Sequence, residues 1–332
     1  MSTNRQGGTE RTRIAVLHAE DEGPPPGLDS LLGTAELMFA SDQATLNAIL
    51  DTAEVLMVTD FRTNLVERAW PYAKRLRWIH ATSAGVDRLL FPALRNSDIP
   101  ITNARGIFDR PIAEYVLGLI LMYCKDFHGS LALKTKCRWQ HRDTERAEGK
   151  RVLIVGAGAI GRQIARLTGA LGLHTTGIAS RARAEDPDFD SVRGSDELLD
   201  ELPKADFVVV AAPLTEATQG LFDTAAFNAM QPSARFINIG RGAIVKTDAL
   251  VKALQEGRIA GAALDVFEQE PLPADHPLWA MPEVFVSAHM AGDVVGWREA
   301  LSAQFVENFE RWRRGEPLAN QVDKQRGYVP QA

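Results

Sequence analysis

Val152-Leu-Ile-Val155-Gly156-Ala-Gly158-Ala-Ile-Gly161 is the stretch that decides the fold. A short apolar run enters a glycine-rich turn, and a helical pattern over Ile160–Leu171 follows. In that context the spacing is the dinucleotide-binding fingerprint. Gly156 permits the tight turn, Gly158 lets the backbone approach a diphosphate, and Gly161 lets helix and strand pack closely. The Ala159 and Ile160 amides then face the diphosphate from a helix N-terminus.

Working outward, apolar runs alternate with amphipathic stretches along most of the chain, the mark of parallel α/β architecture. Upstream, Ile14–His18, Glu36–Ala40, Val55–Thr59, Leu76–His80 and Ile99–Thr102 read as strands, with helices at Thr45–Leu50 and Leu65–Trp70. Asp109-Arg-Pro111 starts a largely apolar helix to about Phe127, with Asp as its cap and Pro in its first turn. Its apolarity suggests a helix buried between two domains. Lys134–Gly149 is polar and reads as a linker. Downstream, strands are expected at Thr175–Ile178, Phe207–Ala211, Phe236–Ile239, Gly261–Val266 and Val284–Ala288, with helices at Asp248–Glu256 and Trp297–Arg314. Two doubly wound units follow from the two series, with the cleft between them as the expected site.

Composition narrows the function. The chain has 332 residues, enough for about two domains. Lys and Arg number 37 against 43 Asp and Glu, a net charge of −6, so no polycationic surface is on offer to nucleic acid or anionic lipid. The two cysteines, Cys124 and Cys137, have no metal-site spacing. The longest apolar stretch, Tyr115–Cys124, is far short of the ~20 residues that span a bilayer. Met1–Arg13 is polar, lacks the core of a signal peptide and reads as a frayed tail. A cytoplasmic protein is expected.

Cofactor choice can be read just past Ile178. An NAD site usually offers an acid there for the ribose 2′-hydroxyl. This chain has Ala179-Ser180-Arg181-Ala182-Arg183, and its first acid is Glu185. A hydroxyl and a guanidinium suit a 2′-phosphate, so NADP(H) is expected over NAD(H).

Three chemical residues stand at the ends of later apolar runs. Phe236-Ile-Asn-Ile-Gly240 delivers Arg241, Glu270 lies in the stretch after Gly261–Val266, and Val284-Phe-Val-Ser-Ala288 delivers His289. Ligands bind at the carboxyl ends of parallel strands, so the three can meet although distant in the chain. An Arg can hold a carboxylate and polarise the adjacent carbonyl. A His can supply a proton and a carboxylate can steady it. Together they suit interconversion of a 2-keto acid and a 2-hydroxy acid. Singly, each has a plainer reading: a structural histidine (the chain has seven, and His80 also ends a strand-like run), a helix-capping arginine, a surface acid.

These residues, with Ala81–Asp87, Ile101–Gly106, Pro111–Glu114, Pro213–Thr215 with Thr218, Asn238–Gly242, Leu264–Pro273 and His289–Gly292, resemble the D-isomer-specific 2-hydroxyacid dehydrogenase family over nearly the whole length. The resemblance implies a flavodoxin-like substrate domain, residues 1–108 and 293–332, with a Rossmann-like dinucleotide-binding domain, 109–292, inserted. It implies His289 as acid/base, Glu270 as its partner, and Arg241 as substrate anchor. The Ser83-Ala84-Gly85-Val86 loop would bind the substrate carboxylate through backbone amides. Pro213, Thr218, Ile239, Asp265, His289 and Ala291 would join the glycine-rich turn, Ser180 and Arg181 in holding the cofactor. A homodimer is also implied. Ala288 replaces the proline common in the family before the histidine. The missing acid after Ile178 resembles the NADPH-preferring glyoxylate and hydroxypyruvate reductases. Two other readings share much of this pattern: a dinucleotide-sensing binding protein like the C-terminal-binding co-repressors, and a dehydrogenase of another small anion such as phosphite.

Overall fold

The computed structural model describes residues 11–60, 62 and 64–330, and divides into two units. One takes in the chain up to Ile107 and again from Val295; the other runs Phe108–Val294. Most of the segment expected as a frayed tail lies outside the described residues.

The first unit holds β1 (Thr12–Leu17), β2 (Ala35–Ala40), α1 (Gln43–Leu50), β3 (Val55–Val58), α2 (Leu65–Ala69), β4 (Trp78–Ala81), α3 (Pro92–Arg95) and β5 (Ile101–Thr102). The second holds α4 (Asp109–Cys124), α5 (Phe127–Thr135), β6 (Arg151–Val155), α6 (Ala159–Ala170), β7 (His174–Ala179), β8 (Ser191–Gly194) and α7 (Leu198–Glu201). It continues through β9 (Phe207–Val210), α8 (Thr224–Ala229), β10 (Arg235–Asn238), α9 (Thr247–Gln255), β11 (Gly261–Leu264) and β12 (Val284–Val286). The chain then returns to the first unit as α10 (Trp297–Arg313).

Both sheets are parallel. The first has the order β2-β1-β3-β4-β5, the flavodoxin-like arrangement. The second has the order β12-β11-β10-β9-β6-β7-β8, a Rossmann sheet whose order reverses between β6 and β9. Strands such as β3, β4 and β9 are buried at every position, as expected of a parallel sheet covered on both faces.

In the first unit, α10 closes one face of the sheet. Phe305 stacks on Trp78 at 5.4 Å between ring centroids, and both are fully buried. Truncating either would cost about 3–5 kcal/mol. His80 lies in the same layer, packed on Phe305, with Nδ1 2.8 Å from the Thr102 hydroxyl, which also accepts from Trp78 Nε1. His80 thus has a structural role, although it ends a strand-like run as His289 does. In the second unit, the apolar face of α4 (Ile112, Val116, Ile120 and Tyr123) is buried in the core shared with α6 and the sheet.

Three expectations about the middle of the chain are corrected. The apolar helix ends at Cys124 and not near Phe127. Asp126 adopts positive φ, and a second helix, α5, starts at a 63° bend. The residue expected to cap α4, Asp109, is its first helical residue, and Phe108 occupies the cap. Part of the expected linker, Lys134 and Thr135, is the last turn of α5. Among the described residues, no single helix is long and apolar enough to cross a membrane.

Burial depresses the His80 imidazole to about 3, so the fold holds it neutral. The unfolded chain protonates it near pH 6.5, so its contribution to stability is full above that pH and is lost as pH falls towards 3. From pH 6.5 to 5 the wild type is expected to lose about 2 kcal/mol more than His80→Gln. Urea denaturation of both proteins at the two pH values measures this difference.

Candidate active site

The site of the second unit is built where its strands end. Asn238, the last residue of β10, turns the chain: its Oδ1 accepts from the Gly240 amide at 3.1 Å and its Nδ2 donates to the Arg241 carbonyl at 3.2 Å. Arg241 follows, with Nη1 donating to the Gly240 carbonyl. It stands at the N-cap of a short 3₁₀ turn, yet its side chain caps nothing there. Gly242 is fixed by contact: a Cβ there would lie 1.8 Å from the Phe267 carbonyl carbon. The strand ends carrying Arg241 and Glu270 touch backbone to backbone, and no side chain fits between them.

Glu270 and His289 are brought together. His289 Nδ1 lies 3.0 Å from Glu270 Oε2, and Glu270 Oε1 accepts the Phe267 amide at 2.9 Å. Burial pushes the Glu270 carboxyl up, but the His289 hydrogen bond, the Phe267 amide and the charges of His289 and Arg241 outweigh it. The net shift is downward, so the carboxylate stays charged through the neutral range and the pairing is lost only as pH falls below the usual carboxylate range.

Asp265 holds the His289 loop. It is 3 % exposed. Its Oδ1 accepts from the Ser287 hydroxyl at 2.6 Å and the Met290 amide at 2.9 Å, and its Oδ2 accepts from the Ala291 amide at 2.9 Å. Its backbone continues the ladder: the Asp265 amide donates to the Asn238 carbonyl, and the His289 amide donates to the Asp265 carbonyl. His289 itself adopts φ 52°. Tyr115 on α4 lies near Ser287 and Asp265, and burial pushes its phenol up. Sequence reading missed Tyr115 and Ser287; their part emerges only when α4 packs on the end of β12.

The glycine-rich turn has the shape its spacing implied. Gly156 has φ 111°, and a Cβ there would lie 2.6 Å from the backbone of Ala211 and Ala212 beyond β9. A Cβ on Gly161 would lie 2.0 Å from the Gly156 carbonyl oxygen, so α6 and the turn touch directly. Around Gly158 a Cβ would meet nothing within 4 Å, and no side chain caps α6, whose first residues are Ala159 and Ile160. That open cradle at a helix N-terminus, at the reversal of strand order, fits a dinucleotide diphosphate. Pro213 and Thr218 share one turn after β9, closed by the Thr218 hydroxyl on the Pro213 carbonyl at 2.7 Å. Ile239 and Ala291 are buried at the ends of β10 and β12. Ser180 and Arg181 are exposed just past β7.

In the first unit the Ser83–Val86 loop follows β4. The Ser83 hydroxyl donates to the Gly85 carbonyl, and Asn103 Nδ2 donates to the Ala84 carbonyl, each at 2.6 Å. The Ser83 carbonyl accepts from the Ala104 amide. The loop's carbonyls are thus engaged, while the Ala84, Gly85 and Val86 amides have no partner among the described residues.

A Rossmann unit carrying an Arg, a Glu–His pair and an open diphosphate cradle defines a nicotinamide-dependent oxidoreductase. The family described as "D-isomer specific 2-hydroxyacid dehydrogenase, NAD binding domain" matches residues 117–291. Glyoxylate/hydroxypyruvate reductase A of Klebsiella pneumoniae is 33% identical over 261 residues, 77% of this chain and 83% of that protein. A D-isomer specific 2-hydroxyacid dehydrogenase family protein from Aeromonas salmonicida superposes with a TM-score of 0.81 at 31% identity, covering 94% of this chain and 99% of that one. An NADPH-dependent glyoxylate/hydroxypyruvate reductase from Sinorhizobium meliloti, solved with NADP and sulfate, superposes with a TM-score of 0.81 at 27% identity, covering 96% and 100%. The chain belongs to the D-isomer-specific 2-hydroxyacid dehydrogenase family and is an NAD(P)-dependent oxidoreductase of that type.

Asp265→Asn keeps one acceptor oxygen and loses the other. A hydrogen bond to a charged group contributes about 1.5–3 kcal/mol. If the loop's order is lost to that extent, kcat falls about 10–100-fold and the melting temperature falls by several degrees. Steady-state kinetics beside calorimetry checks both.

Proposed function

We propose that this protein is an NADPH-dependent reductase of 2-keto acids, yielding D-2-hydroxy acids, with glyoxylate, hydroxypyruvate or a larger 2-keto acid as substrate. The observation that carries the reading is the His289–Glu270 pair at 3.0 Å with the Arg241 charge acting on it. The Klebsiella and Sinorhizobium relatives named above support the substrate class, and the NADP bound in the latter supports the cofactor.

NADPH, when bound, supplies the hydride to the keto carbon. Arg241 holds the substrate carboxylate and polarises the neighbouring carbonyl. His289, with Nδ1 on Glu270, delivers a proton from Nε2 to the carbonyl oxygen as it gains charge. Hydride and proton together convert C=O to CH–OH, and the reverse reaction returns both. Glu270 fixes the ring's orientation and steadies its charged form. The Ser83–Val86 amides are assigned to the substrate carboxylate. The glycine-rich turn, Pro213, Thr218, Ile239, Asp265 and Ala291 are assigned to the cofactor, with Ser180 and Arg181 on its 2′-phosphate. We place the enzyme in the cytoplasm as a homodimer. Exposed Phe127 and Leu131 on α5, and Trp139 beyond it, support self-association.

His289→Ala is expected to cut turnover by about 10²–10⁴-fold while sparing NADPH binding. Stopped-flow turnover beside cofactor titration checks this, and retained turnover would remove the assigned acid. With a panel of 2-keto acids, kcat/KM should be higher with NADPH than with NADH; parity would remove the cofactor assignment.

A further inference from the structure

The loop between β7 and β8 holds an ion-pair cluster outside the catalytic constellation. Arg162, in the first turn of α6, grips Asp186 through both terminal nitrogens, Nη1 to Oδ1 and Nη2 to Oδ2, each at 2.8 Å. Its Nη1 also reaches Asp188 Oδ2 at 2.7 Å, and Arg166 pairs with the same aspartate. Asp186 Oδ1 further accepts the Asp188 amide. Arg183 completes the set: Nε lies 3.1 Å from Asp186 Oδ2, and Nη2 donates to the Ala157 carbonyl inside the glycine-rich turn at 3.4 Å.

The pattern of exposure separates the roles. The Asp186 side chain is 1 % exposed and that of Arg183 32 %. An acid serving a ribose 2′-hydroxyl needs an accessible oxygen, and both oxygens of Asp186 are enclosed by guanidinium groups. Arg183 is ion-paired with Asp186 at one end, without hydrogen-bond geometry at Nε, and hydrogen-bonded at the other to the turn that receives the cofactor, leaving donors on Nη1. Three arginines face two aspartates here, so the cluster is net cationic, and the exposed Arg181 stands beside it.

We propose that Asp186 is a positioning residue for cofactor choice. It holds Arg183 against the glycine-rich turn as a second cationic ligand, with Arg181, for a phosphate ester on the adenosine ribose. The assignment rests on the NADP(H) reading above and adds to it two residues, Asp186 and Arg183.

Simple electrostatics gives the test its sign. Neutralising Asp186 makes the cluster more positive, which by charge alone tightens phosphate binding. A positioning role gives the opposite result. Titration calorimetry of the full chain with adenosine 2′,5′-bisphosphate and with adenosine 5′-monophosphate reads both. The wild type is expected to prefer the bisphosphate by tenfold or more. Asp186→Asn and Arg183→Ala should each weaken the bisphosphate about tenfold and leave the monophosphate unchanged. The double variant should be no weaker than Arg183→Ala.

A gain or no change in Asp186→Asn overturns the proposal. So does equal weakening of both ligands, which marks a purely structural role, or additive loss in the double variant. If Asp186→Asn does not fold, Arg183→Ala decides, since an unchanged preference in that variant also overturns it. A wild type with no preference removes the NADP(H) reading itself, and the proposal with it. An intact wild-type preference beside an unaffected Asp186→Asn removes the Asp186 assignment alone.

Discussion

The catalytic loop is organised by a buried carboxylate. Stripped of donors, the Asp265 side chain would cost several kcal/mol in its burial. It is satisfied only when Ser287, Met290 and Ala291 all face it. Order in the loop is therefore the condition for burying the charge, and His289 is carried along between residues that cannot move. The backbone ladder from Asn238 through Asp265 to His289 sets the depth at which the imidazole emerges. Glu270 reaches it, and the Arg241 charge acts on Glu270, where Gly242 lets their two loops meet without a side chain between them.

Much of this was legible in the sequence because parallel strands buried on both faces are continuous apolar runs, and a glycine-rich turn after such a run has few other uses. The elements that escaped lack those signals. Ser191-Val-Arg-Gly194 lies at the sheet edge, pairs with β7 on one side and makes a single bridge to Arg183 on the other, and has a single buried apolar residue, so nothing in its composition marks a strand. Phe127–Thr135 contains Gly129 and has no buried residue, so no apolar stripe announces a helix. Strand ends and the residues following them were placed within a residue or two, which sufficed to locate Arg241, Glu270 and His289.

The supporting residues were harder to read, for a different physical reason. Ser287 and Tyr115 are ordinary residue types whose value depends on a neighbour distant in the chain. Asp186 shows the limit most sharply. Sequence reading took Glu185 as the first acid past β7 and gave its neighbour no role. Tertiary pairing with Arg162 and Arg183 decides that Asp186 is an internal counterion and not an open acceptor.

The first sheet depends on a helix from the far end of the chain. Phe305 and Trp312 of α10 stack on Trp78, and every residue of the second unit is encoded between them. During synthesis the inserted unit is complete in sequence before α10 exists, so it can reach its native packing while the Trp78 layer still lacks its cover. The first unit is therefore the later of the two to have all its core residues in hand, and until α10 is made Trp78 lacks its aromatic cover.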